Sequence, residues 1–216
     1  MATNLGANPW ILIGLIFLEI LFIIVPALIA TKVERNSFKN QLNEMGFHKN
    51  DDPLPRILIK ISAGIGIGIV FFLIGGYIIA FFYSLIQASL GSDFVSSGTE
   101  GAISTAPVEP NIIQVIILIV LQVAIVGVCE EAFFRGFILK KFDKEWKMVY
   151  ALLISSIIFA FYHVPPFLVP ITTIVTYFGY YFTFGVMLSL VYVYSDYSLI
   201  PGIIAHALFN ILLLIF

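Results

Sequence analysis

Three short runs place side chains that can move protons inside otherwise apolar stretches. The first is Glu130-Glu131-Ala132-Phe133-Phe134-Arg135. The second is Phe159-Ala160-Phe161-Tyr162-His163, and the third is His206-Ala207-Leu208-Phe209-Asn210. Ionisable groups within a membrane span are costly and mark functional sites. Glu131 and Arg135 are four residues apart, share a helix face and can pair, which fixes helix register. Glu130 is turned by about 100° from Glu131 and can face a different neighbour. His206 and Asn210, also four apart, project together. A carboxylate with a histidine can hold and deprotonate a water. An imidazole and an amide on one face can donate to the oxyanion that develops on an attacked carbonyl. Glu130, His163 and His206 are also plausible ligands for a divalent metal such as zinc, whereas Asn210 is a poor one. The inventory suits hydrolysis of a peptide bond, and a metal-free or loosely metal-dependent site is the more natural.

The elements that must position these groups are membrane spans. A spanning helix needs about 20 mostly apolar residues. About six stretches serve: Pro9–Thr31, Ile57–Leu90, Asn111–Leu139, Val149–His163, Ile171–Tyr194 and Ser198–Phe216. Pro165, Pro166 and Pro170 stop the short fourth. The first reads as a span and not as a cleavable signal peptide, because it lacks a basic start and Lys32 and Arg35 follow it. At about 1.5 Å per residue, Glu130 lies about 15 Å from the Lys140 edge. On the same count His163 lies about 21 Å from Val149 and His206 about 12 Å from Ser198. All three fall near the middle of a core about 30 Å thick.

Composition agrees. The 216 residues are 60% hydrophobic and 11% charged, and mean hydropathy is +1.04, which excludes a water-facing globule. No basic arm or stripe of the kind nucleic acid requires is present. One cysteine, Cys129, excludes an intramolecular disulfide. The fold expected is an all-α polytopic transmembrane bundle, with residues 1–216 a single integral membrane domain.

Lys32, Arg35, Lys39, Lys49, Arg56 and Lys60 lie between the first two spans or at their edge. Arg135, Lys140, Lys141, Lys144 and Lys147 lie at or near the next-but-one connection. The positive-inside rule then makes these loops cytoplasmic and puts both termini outside. Gly91–Pro110 has no basic residue and reads as a mobile external connection. Phe38, Leu42 and Met45 suggest a short surface helix within Asn36–Lys49, a substrate-docking arm being the sharper alternative. Gly64 and Gly68 read as a packing face.

The three runs resemble the signature motifs of the type II CAAX prenyl endopeptidase family, also called the Abi intramembrane protease family. Its patterns E-E-x-x-x-R, F-x-x-x-H and H-x-x-x-N are present in order, and the resemblance covers approximately 111–216. It implies Glu130 as the base that activates water, with His163 assisting. Glu131 and Arg135 would position their helix, Phe159 would support by packing, and His206 and Asn210 would stabilise the oxyanion. A metal, if present, would sit on Glu130, His163 and His206. Partners would be the lipid bilayer of the cell membrane and a membrane-associated or lipidated protein substrate, including a prenylated CAAX-type tail.

Two other classes compete. A transporter or proton relay also uses buried Glu and His, but no inverted repeat is present. A non-catalytic binding or immunity protein of the same fold would tolerate loss of Glu130. Glu19, in the first span, has no partner that the sequence identifies.

Overall fold

The computed structural model describes residues 4–48 and 51–216; Lys49, one of the basic flanking residues, lies outside them. The described residues form eight helices and a short 3₁₀ turn at Leu5–Ala7, with no strand beyond one isolated bridge between Asn4 and Ser104. We name them α1 (Pro9–Val33), α2 (Phe38–Glu44), α3 (Leu54–Leu90), α4 (Ser92–Glu100), α5 (Ile112–Glu145), α6 (Met148–His163), α7 (Ile171–Tyr194) and α8 (Leu199–Ile215).

Helices α1, α3, α5 and α7 are long and apolar enough to cross a membrane, while α6 and α8 are shorter apolar helices packed among them. Together they correspond to the six stretches expected, and the chain is a polytopic helix bundle. Their outward faces are apolar, as in Tyr77, Leu73 and Ile112, which suits lipid and not water.

Local signals set the helix ends. Asn8 accepts from the Trp10 amide ahead of Pro9, and Asn111 and Gln114 form a reciprocal capping box at the start of α5. Gly91, at φ 90°, turns the chain out of α3.

The core is aromatic. Phe71 of α3, Phe134 and Ile138 of α5, Phe159 of α6, Phe184 and Leu188 of α7, and Phe209 of α8 form one buried cluster. Gly64 and Gly68 do serve packing, since a Cβ on either would come within 2.9 Å of α8 atoms. A second cluster joins Leu12, Ile13 and Ile16 of α1 to Leu118, Leu121 and Val126 of α5.

Two expectations change. Gly91–Pro110 is not an irregular loop throughout: its first half is helix α4, and Thr173 donates to the Gly98 carbonyl at 2.8 Å. Gly98 allows this close seating, because a side chain there would collide with Thr176. Arg135 is not an edge residue either. It is fully buried in α5 and drops out of the basic flank.

The surface helix expected within 36–49 is α2, capped by Ser37. It is clamped to the end of α5. Lys141 lies 2.7 Å from Glu34 and 3.0 Å from Glu44, Lys144 lies 2.9 Å from Glu44, and Gln41 bonds both Glu34 and Lys141.

Candidate active site

Helix α5 carries the acidic pair and is irregular where it does so. It widens into π-helical turns over Gln122–Val126 and again over Ala132–Leu139, leaving a five-residue α-helical segment, Gly127–Glu131, between them. Such widened turns recur at functional sites because they re-aim side chains. Cys129, Glu130 and Glu131 all lie in the short segment and all are buried.

Glu131 is a junction. Its Oε1 accepts from Arg135 Nη1 at 2.8 Å and lies 2.9 Å from His206 Nδ1. Arg135 Nη2 donates to the Gly185 carbonyl at 3.0 Å, and the guanidinium lies 4.7 Å from the Phe159 ring centre. Gly185 packs directly on Ser156, so α6 and α7 approach closely enough for the carbonyl to reach Arg135. One ion pair thus ties together α5, α7 and α8, with Phe159 of α6 covering it.

Glu130 faces the other way, as its rotation from Glu131 required. Its Oε2 stands 3.8 Å from His206 Nε2 and 3.9 Å from His163 Nε2. Among the described residues no hydrogen bond reaches that oxygen. The tautomers follow from the partners. His163 Nδ1 is 2.9 Å from the Phe159 carbonyl, which can only accept, so Nδ1 carries the proton. His206 Nδ1 faces the carboxylate of Glu131, which also only accepts. In the neutral imidazoles both Nε2 atoms are therefore lone pairs. Three acceptors, Glu130 Oε2 and two Nε2, converge with no donor among them.

His163 ends α6, is partly open, and is stacked at 4.5 Å on Tyr181. His206 is buried. Phe159 supports both rings, with centroids 4.3 Å from His163 and 6.1 Å from His206.

Asn210 is on the same helix as His206, one turn on, but its amide is engaged elsewhere. Its Nδ2 donates to Gln122 Oε1 at 3.0 Å. Gln122 begins the first π-helical turn of α5. The bond orients the Asn210 amide and leaves its second N–H unused by it. Gln122, Gly185 and Tyr181 are site neighbours that a census of charged residues and histidines passes over. A polar amide in the apolar run 112–128 was the available signal for Gln122.

Glu130 Oε2 stands slightly farther from the two imidazole nitrogens than ligands of one tetrahedral zinc would. Zinc ligands at about 2.0–2.2 Å in a tetrahedron are about 3.3–3.6 Å apart, and the separations here are 3.8 and 3.9 Å. Among the described residues no group of three His, Cys, Asp or Glu is placed to hold a metal ion.

The chain matches neither a curated protein nor a solved structure. A family model does match, over residues 112–212, a stretch that runs from the start of α5 into α8 and contains all three motifs. That model describes Rce1-like type II CAAX prenyl endopeptidases, so residues 112–212 are similar to the family that their motifs resemble.

Proposed function

We propose that the protein is an intramembrane endopeptidase in which Glu130 activates a water against a peptide bond of a membrane-associated substrate. The observation that supports this most is the convergence of three acceptors on one space. A water is the smallest molecule with two O–H donors, and it fits that demand. Glu130 takes a proton from this water as general base, and His163 Nε2 accepts the second O–H and orients it. The remaining hydroxide attacks the carbonyl carbon and the C=O pair moves onto oxygen; that pair then re-forms C=O as the C–N bond breaks, and the proton held by Glu130 goes to the leaving amine.

His206 donates to the oxyanion through Nε2 in its protonated form, with the ring held in orientation by Glu131 at Nδ1. The free N–H of Asn210 is the second donor, held in orientation by Gln122. Glu131, Arg135 and Phe159 position these groups. The substrate we propose is a prenylated C-terminal tail, the class that the family description names. The basic segments around Lys32–Lys60 and Lys140–Lys147 face the cytoplasm, and the termini face outward.

The test is cleavage of a prenylated C-terminal reporter peptide by detergent-purified protein, with and without chelator. Wild type is expected to cleave in both conditions. Glu130→Gln is expected to lose activity by about 10²-fold or more, while unfolding no earlier than wild type on heating. Cleavage retained by Glu130→Gln would remove that residue from its role as base.

A further inference from the structure

Helix α6 is short for a membrane crossing, and it ends on a site residue. Its 16 residues, Met148–His163, rise about 24 Å from the basic edge at Lys147, against a hydrocarbon core about 30 Å thick. On that count α6 stops inside the core, and the link Val164–Pro170 that leads to α7 starts there. Irregular backbone at such depth is tolerated only where its polar groups are satisfied without water.

The link meets that condition. Pro165, Pro166 and Pro170 have no N–H to satisfy. Three of the other four amides donate to backbone carbonyls: Val164 to Ala160 at 3.0 Å, Leu168 to Pro165 at 2.9 Å, and Val169 to Pro165 at 3.2 Å. No charged residue occurs from Val164 to Ser195. Val164 and Val169 are buried and pin the link to the bundle, whereas Phe167 is 98% exposed and Leu168 71%. The apolar surface continues on either side, at Phe161 of α6 and Ile171 of α7. Two large apolar side chains so fully uncovered, in a turn with no charge, are poorly matched to water.

We propose that Val164–Pro170 is embedded in the hydrocarbon of the bilayer, with Phe167 and Leu168 among the acyl chains, so that the open side of the Glu130 site borders lipid. His163 is the partly open member of the trio and immediately precedes the link. A membrane-bound molecule then has a sideways route to His163 that does not pass through water. This placement holds whether or not Glu130 acts as a base.

The test uses the full-length protein in phosphatidylcholine vesicles, spin-labelled through Phe167→Cys or Leu168→Cys, each variant checked by thermal unfolding. Cys129 is buried, so the unsubstituted protein is the blank for labelling. Leu73→Cys, on the outward face of α3, is the lipid reference, and Glu145→Cys, at the exposed end of α5, the water reference. Collisions of the label are read with oxygen, which concentrates in hydrocarbon, and with a neutral nickel chelate, which stays in water. Both link labels are expected to favour oxygen over nickel as Leu73 does, with the reverse at Glu145. Nickel collisions at Phe167 and Leu168 that match Glu145 put the link in water and overturn the proposal. Weak collisions with both reagents overturn it too, since a second copy of the chain would then be the cover.

Discussion

His206 Nδ1 meets Glu131 at the same carboxylate oxygen that receives Arg135, at 2.9 and 2.8 Å. The two residues come from α8 and α5 and are 75 positions apart in the chain. The second glutamate of the acidic pair is thus both half of an ion pair and the group that fixes the imidazole's tautomer.

That double role separates stability from activity. Glu131→Gln leaves Arg135 buried and uncompensated, and should destabilise by about 3–5 kcal/mol. Adding Arg135→Met to it should restore much of that stability, since an ion pair replaced by neutral groups costs far less than one broken. The double variant should remain impaired in cleavage, because His206 still lacks its carboxylate. Thermal unfolding in detergent alongside reporter cleavage checks this; equal recovery of both would show that Glu131 acts through Arg135 alone.

Gln122 offers a subtler separation. Gln122→Leu removes the acceptor that orients Asn210 while preserving an apolar helix surface. We expect kcat to fall by about tenfold, near 1.4 kcal/mol of transition-state stabilisation, with little change in KM. If Gln122→Leu cleaves as wild type does, the Asn210 amide needs no such anchor.

Acid should release α2. Hydrogen bonding from Lys141 holds Glu34 below the ordinary carboxylate value of 4.5, and Lys144 does the same for Glu44. A carboxyl depressed in the folded state contributes its stability above the ordinary value and loses it as pH falls through the folded one. Docking of α2 should therefore be intact at neutral pH and weaken below about pH 4. Spin labels at Asn40 and Glu145 would read the distance across the clamp; one that stays constant down to pH 3 would refute the assignment. Both carboxylates are partly solvated, so the effect should shrink as salt is raised.

The sequence announced the apolar runs, their ends and the motif residues, because composition, prolines and caps are local properties. Glu131 with Arg135 was legible for the same reason: both lie on one helix. The bond from His206 to Glu131 was not, since it depends on how α8 rotates against α5. Gln122 with Asn210 was hidden likewise, and the widened turns that aim Glu130 have no signature in Ala132–Leu139 that distinguishes them from ordinary helix. Helix α4 is not legible because Ser, Thr and Gly argue for loop, whereas its packing on α3 and α7, including Thr173 and Thr176, depends on the fold. Arg135 was counted with the basic flank by proximity to Lys140, when its partner four residues earlier already argued for the interior.

The pairing of Glu131 with Arg135 within a single helix also bears on how the protein is made. A lone charge near the centre of a span costs about 2.5–3.5 kcal/mol to insert. Synthesis delivers α5 to the bilayer before α7 and α8, so neither the Gly185 carbonyl nor His206 is yet present to share that cost. In a glycosylation-mapped insertion assay, wild-type α5 should therefore enter at least as efficiently as α5 with Arg135→Leu, which carries one charge fewer but leaves Glu131 unpaired. Poorer entry of wild type would mean that the pair does not form during insertion. Because Glu131 and Arg135 each arrive with the opposite charge already one turn away, the pair adds no net charge to the entering helix and can wait there for its later partners.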